Sequence, residues 1–191
     1  MKGMNEVNEH EIRAVYDDET IRVYQAYNVA IAKQAIQKGT FGSHFKLDRM
    51  TWIKPSFLWM MYRCGWAQKD GQERVLAIDI KREAFDFLVK NAMYSKYEPE
   101  ANLSKEEWKE RIRKSDIRIQ WDPERDIYGN PLEYRSIQLG IRGKYVEQYV
   151  EDWIVQINDI TDYVITLKEK INRGYDVTLE LPKEREYRIK Y

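Results

Sequence analysis

The residues best suited to chemistry gather in one run, DRMTWIKPSFLWMMYRCGW, from Asp48 to Trp66. It holds three of the six Trp and three of the six Met, together with Arg49, Lys54 and Arg63. The pattern predicts a short strand, Met50 to Ile53, that passes through Lys54-Pro55 straight into a helix over 55–63 closed by Gly65. Backbone N–H groups at such a helix start lack partners, and the helix dipole adds positive potential there, so the position favours a phosphate or a carboxylate. Lys54 would stand beside that anion, Arg49 would add charge, and the hydroxyl of Thr51 or Ser56 would donate to it. Trp52 would stack on a base or a nicotinamide ring. The helical spacing of Phe57, Leu58, Met61 and Tyr62 equally describes an ordinary core stripe. Neither GxGxxG nor GxxxxGK[ST] occurs, so no glycine-rich phosphate loop supports the site.

A second group lies in WDPERDIYGNPLEYRSIQLGIRG. Asp122, Glu124, Asp126 and Glu133 are close in sequence, and Glu133 falls just before a strand, where it is either held firmly at a cleft edge or an ordinary solvated loop carboxylate. Gln138 on that strand and Gln120 on its neighbour occupy polar faces that either line a groove or face water. Arg13 and Arg22 sit on the two arms of a first hairpin, EIRAVY and TIRVYQAY, where both are placed either to hold a phosphate bidentately or simply to solubilise an exposed face. His44, in GSHFKLDR, is a candidate ligand contact. Cys64 lies among apolar residues and reads as buried rather than nucleophilic. No nucleophile-elbow spacing is present, which leaves a hydrolase triad without support.

The elements that must position these residues follow from periodicity. Asn28 and Gly39 bracket a helix with an Ala30, Ile31, Ala35, Ile36 stripe. Val75 to Ile80 is apolar on both faces, the pattern of a central strand, with Ile137 to Ile141 expected in the same sheet. A helix carrying Phe85, Leu88 and Val89 follows, and Ser104 opens another with a capping box. Ile117 to Trp121 and Ser136 to Ile141 alternate as strands around a loop, 122–134. The C-terminal part reads as helical, with Tyr145, Tyr149 and Trp153 on one stripe and Ile160, Tyr163, Val164, Leu167 and Ile171 on the next. Strands and helices without strict alternation indicate an α+β fold: one domain, with a mixed or antiparallel central sheet flanked by helices. The boundaries are a polar tail over 1–10, the domain over 11–181, and a charged tail or edge strand over 182–191.

Composition narrows the function. The 32 basic and 32 acidic residues cancel, which argues against a general polyanion binder but leaves room for a local basic groove. One cysteine and two histidines exclude an internal disulfide and leave too few ligands for a cysteine- or histidine-rich metal site. With no leader-like N-terminus and no apolar run of about 18 residues, a cytoplasmic protein without membrane attachment is expected.

The Asp48 to Trp66 run, with RVYQAYN before it and QERVLAIDI after it, closely resembles an uncharacterised domain-of-unknown-function family of bacteria and fungi, family 4291. The likeness runs from about Glu11 to Gly143 and implies no established activity. A more distant similarity is to ADP-ribosyltransferases. It implies an ADP-ribosyltransferase-like fold in which Arg22 supplies the first element of the site and Thr51 to Ser56 the second. Glu133 would be the third, and Gln138 stands where a catalytic acid would be expected. The function this implies is an NAD-using transferase acting on nucleic acid or protein. Arg22 and the Lys54–Ser56 helix start would hold the pyrophosphate, and Glu133 would steady the developing charge. The competing reading is a non-catalytic module for a nucleotide or single-stranded nucleic acid that uses the same Arg, Lys and aromatic residues. A third is a partner-binding protein in which the aromatic run is core.

Overall fold

The apolar runs of the chain supply two main sheets that meet at Lys54, and a small pair of strands stands apart from them. A computed structural model describes residues 10–97 and 103–189. The first sheet is antiparallel, with β4 (Arg74–Lys81) between β2 (Thr20–Tyr27) and β8 (Ile154–Asp159). The second runs β3 (Thr51–Ile53), β7 (Pro131–Ile141), β6 (Ile117–Arg125), β5 (Met93–Tyr94), antiparallel except for the parallel β5–β6 pair. A single antiparallel bridge between Tyr24 and Lys54 joins them, with the Tyr24 N–H donating to the Lys54 carbonyl at 2.7 Å. A small third pair consists of β1 (Arg13–Ala14) and β9 (Arg185–Glu186).

The central position of β4 explains its composition. Leu76, Ile78 and Ile80 enter one core cluster, with Ile21, Val23, Ile53 and Leu139. Val75 and Ala77 point the other way, into a second cluster with Tyr24, Phe57, Met61, Val164 and Leu167. A strand with core on both faces needs apolar residues at consecutive positions, and burying each Ile or Leu contributes roughly 1.5–3 kcal/mol. The helices are α1 (Val29–Lys38), α2 (Phe57–Cys64), α3 (Arg82–Asn91), α4 (Lys105–Lys114), α5 (Lys144–Gln148) and α6 (Thr161–Asn172). Asn28 caps α1 by accepting from the Ile31 N–H, Gly39 ends it in the left-handed region, and Ser104 and Glu107 form the expected capping box on α4. The result is one α+β domain.

Several expectations are corrected. Ile137 to Ile141 lies in the second sheet, across from Thr51–Ile53, rather than beside β4. The segment 122–134 is mostly strand: β6 and β7 run on to a tight turn, where Asp126 Oδ1 accepts from the N–H groups of Tyr128 and Asn130 at 2.8 Å each. That Asx geometry needs only a few residues, so the proline and glycine signals mark a short turn in place of a long loop. The buried side of α1 is rotated by one position, to Ala32 and Ala35, and Ile36 is exposed. The tyrosine stripe after Lys144 is helical only to Trp153, where a π-turn over Tyr149–Trp153 ends it and β8 begins. The first hairpin keeps its turn, with Arg22 N–H donating to Val15 carbonyl at 2.9 Å, but β1 peels away to pair with β9. The C-terminal segment therefore carries a strand and a buried Tyr187. Among the described residues no helix is long and apolar enough to cross a membrane.

Candidate functional site

The end of β2, the loop between α1 and β3, β3 itself and the side of α2 enclose a groove of two lobes. One lobe, about 240 Å³, is lined by Tyr27, Arg49, Trp52, Lys54, Arg63 and Gln72, among others. The other, about 300 Å³, is lined by Asn28, His44, Phe45 and Lys46, among others. Tyr27, Arg49, Thr51 and Gly71 belong to both, so Arg49 stands in the wall they share. Four basic side chains, Lys46, Arg49, Lys54 and Arg63, line this groove and, among the described residues, no carboxylate does, although acids and bases balance in the chain as a whole. Lys46, Arg49 and Arg63 make no hydrogen bond or ion pair among the described residues. Such a cluster raises the potential inside a concave surface and attracts anions.

Local structure fixes each wall. The Gln34 side chain reaches from α1 into the loop, accepting from the His44 N–H at 2.9 Å and donating to Ser43 Oγ at 3.1 Å. Phe41 stacks on Phe45 at 4.3 Å, and Thr40 donates to the Val150 carbonyl, so the first half of the loop, up to Phe45, is tied down. Trp52 lies against Gly140 of β7, where an added Cβ would meet its ring at 2.9 Å. A glycine in a strand allows this close approach. Thr51 is buried and hydrogen-bonded to Tyr27, whose phenol burial pushes up to about 12.

Lys54 is the unusual member. Its side chain is buried, at 7% exposure, yet among the described residues its only side-chain hydrogen bond goes to the Trp52 carbonyl at 3.4 Å, and its ammonium lies 5.3 Å from the centre of the Trp59 ring. Burial, reinforced by the Arg63 guanidinium and opposed by Asp122, lowers its pKa to about 8. The antiparallel register that pairs Ile53 with Leu139 brings Gln138 opposite Lys54 one step later. Gln138 is buried and donates to Asp122, which also accepts from Gln120 at 2.9 Å. The two glutamines therefore both bind Asp122, Gln138 from a buried position and Gln120 from a half-buried one.

Five residues singled out from the sequence meet in the groove: His44, Arg49, Thr51, Trp52 and Lys54. Ser56, Arg22, Gln138 and Glu133 are not in its lining. Ser56 caps α2 from inside the core, accepting from the Trp59 N–H at 3.1 Å. The anion expected at the start of α2 is supplied by the protein itself, because Glu184 Oε1 accepts from the Phe57 N–H at 2.7 Å. Burial raises Glu184 to about 8, and the neighbouring Glu124, itself raised by burial, pushes in the same direction. Arg22 pairs bidentately with Asp79, at 2.8 Å for each bond. Glu133 is exposed within β7, five residues from Gln138 and so roughly 17 Å away along the strand. Cys64 is fully buried, and burial pushes its thiol up.

Tyr27, Asn28, Lys46 and Gln72 line the groove without having been picked out individually. Tyr27 and Asn28 close the RVYQAYN run and Lys46 follows His44 in GSHFKLDR, so their neighbours carried the only signal. Gln72 had none. The chain matches the family model described as Domain of unknown function (DUF4291) over residues 11–187 and belongs to that family. No curated protein and no solved structure matches it.

Proposed function

We propose that this member of the DUF4291 family is a nucleotide-binding protein whose groove holds a dinucleotide of the NAD class. The observation that carries the reading is the groove's charge: four basic side chains and, among the described residues, no carboxylate in its lining, in a chain with no net charge. Three of these cations have no internal partner, and maintaining unpaired like charges in one concavity disfavours the free protein. An anion resolves that repulsion. Tyr27, Trp52 and Phe45 in the walls supply ring faces for a base or a nicotinamide, and Asn28 and Gln72 supply amides for base edges.

The binding half of the original expectation draws more support than the transferase half. A transferase needs a carboxylate near the sugar as positive charge develops, and Glu133 stands exposed on another part of β7. The decisive measurement is a thermal-shift and titration series with NAD, ADP-ribose, ATP and a short single-stranded oligonucleotide. NAD at about 100 times its dissociation constant should add about 2.7 kcal/mol of stability. Arg49→Glu and Arg63→Glu should each weaken NAD at least about tenfold, the loss of one ~1.4 kcal/mol contact, and leave the melting temperature of the free protein nearly unchanged. If none of the nucleotides binds, the reading fails. If the oligonucleotide binds tightly with steep salt dependence and NAD does not, the groove belongs to nucleic acid. Nicotinamide release by the wild type would restore the transferase.

A further inference from the structure

We propose that Lys54 is held without a counter-charge so that the pyrophosphate of a dinucleotide supplies it, and that ligand binding is accordingly coupled to uptake of a proton at Lys54. This rests on the nucleotide-binding reading above.

The geometry comes first. A lysine ammonium has three N–H donors, and Lys54 uses one of them, over 3.4 Å, on a carbonyl that already accepts from Gln25 Nε2 at 3.0 Å. Buried charges in proteins are normally paired, because an unpaired one in a low-dielectric site loses its ionised form. No carboxylate lies within ion-pair distance of Lys54 among the described residues. The groups facing it come from every neighbouring element. From α2 come the Arg63 guanidinium, which repels the ammonium, the Cys64 thiol and the Trp59 ring. From β6 comes Asp122, whose oxygens are occupied by Gln120 and Gln138. From β3 comes the Trp52 carbonyl, and the loop before it adds Arg49 to the same cavity. Burial and Arg63 outweigh Asp122, so the amine holds its proton only up to about pH 8.

The same arrangement selects the ligand. Lys54, Arg49 and Arg63 line one cavity of about 240 Å³. Two adjacent negative charges match three cations better than the single charge of a phosphodiester. With Arg49 in the wall shared by the two lobes, a pyrophosphate beside Lys54 leaves one nucleoside unit directed toward the lobe of His44 and Phe45. No bond is made or broken. The only transfer is a proton from solvent to Lys54 Nζ.

NAD is the right probe because its pyrophosphate does not titrate between pH 6 and 9. Calorimetric titrations of the full chain with NAD, in two buffers of different ionisation enthalpy, count protons directly. With Lys54 half-protonated near pH 8, about half a proton should be taken up per NAD bound at pH 8.0, and almost none at pH 6.5. NAD affinity should fall as pH rises from 8 to 9.5, approaching tenfold per pH unit. Lys54→Arg, which stays charged throughout, should bind NAD with no uptake at pH 8.0 and a flat profile. A dinucleoside monophosphate should bind more weakly and take up less. NAD binding with identical heats in both wild-type titrations at pH 8.0 overturns the proposal without reference to any variant. Uptake that persists in Lys54→Arg overturns it too, by placing the proton on another group such as His44. If no nucleotide binds at any pH, the nucleotide reading has failed, and this inference with it.

Discussion

Replacing Glu184 by glutamine should stabilise the protein at high pH and leave it unchanged at low pH. The Glu184 carboxyl caps α2 through the Phe57 N–H at 2.7 Å, and glutamine offers a carbonyl oxygen for the same bond. What the substitution removes is the ionisation. In the fold the carboxyl is raised to about 8, against an ordinary value of 4.5, because it is largely withdrawn from water, though half-buried at its cavity, and faces Glu124. A group whose native pKa is raised contributes its full stability below the unfolded pKa and loses it as pH rises through the native one. One pH unit between the two corresponds to about 1.4 kcal/mol, which caps the penalty at about 5 kcal/mol by pH 9. The carboxyl also borders an open cavity of about 290 Å³, and water there reduces the realised penalty to about 2 kcal/mol. For a chain of this size that is a gain of about 4–8 °C in Tm. Urea unfolding of both proteins at pH 4.5, 6.5 and 8.5 reads it out, since a midpoint change at constant slope is a stability change. Lys54 has the opposite sign: its lowered pKa makes stability rise as pH climbs from about 8 to 10.5. That contribution is common to both proteins and cancels in the difference. A variant less stable than wild type at pH 8.5 would refute the reasoning, because it would mean that the ionised carboxylate at the α2 dipole is net favourable.

Three further expectations follow from single contacts. Gly140→Ala would place a Cβ 2.9 Å from both the Trp52 ring and the Met50 sulfur, so it should destabilise by about 1–3 kcal/mol and shift tryptophan emission, and unchanged stability and spectrum would dismiss this placement of Trp52. Asp79→Asn removes the bidentate partner of the half-buried Arg22 and should cost about 1–3 kcal/mol in thermal unfolding with NAD affinity unaffected, whereas a loss of affinity would bring Arg22 into the ligand's path. Glu133→Gln, at an exposed position, should change stability by less than about 0.5 kcal/mol and leave NAD binding intact. If the wild type releases nicotinamide and this variant does not, Glu133 returns as a catalytic residue.

The elements most legible in the sequence are those whose signal is local. The Asn28 and Ser104 caps, the Gly39 and Gly65 stops and the doubly apolar β4 depend on residues within a few positions of each other, and all are present. The failures are of another kind. Ile154–Asp159 follows a helical stripe that is real until Trp153, and Val155 is exposed, so an edge strand with weak alternation extends the preceding period on paper. The assignment of β7 to the second sheet depends on pairing with Thr51–Ile53, about 90 residues away in the chain, and alternation reports a buried face without naming the partner strand.

The same distinction explains which site residues converge. His44 to Lys54 is one short stretch, and its loop returns on α1 through Gln34, so proximity in sequence became proximity in space. Ser56 and Arg22 had the right chemistry but found internal partners from distant parts of the chain, Glu124 for the one and Asp79 for the other. Glu184, from the far end of the chain, likewise claimed the α2 start. A helix N-terminus attracts a carboxylate for the same reason that it attracts a phosphate, and here the carboxylate comes from the chain itself. Lys54 is the case where no such partner arrived. Among the described residues no acid forms an ion pair with it, so its ammonium, with Arg49 and Arg63 beside it, is positive charge open to an external anion.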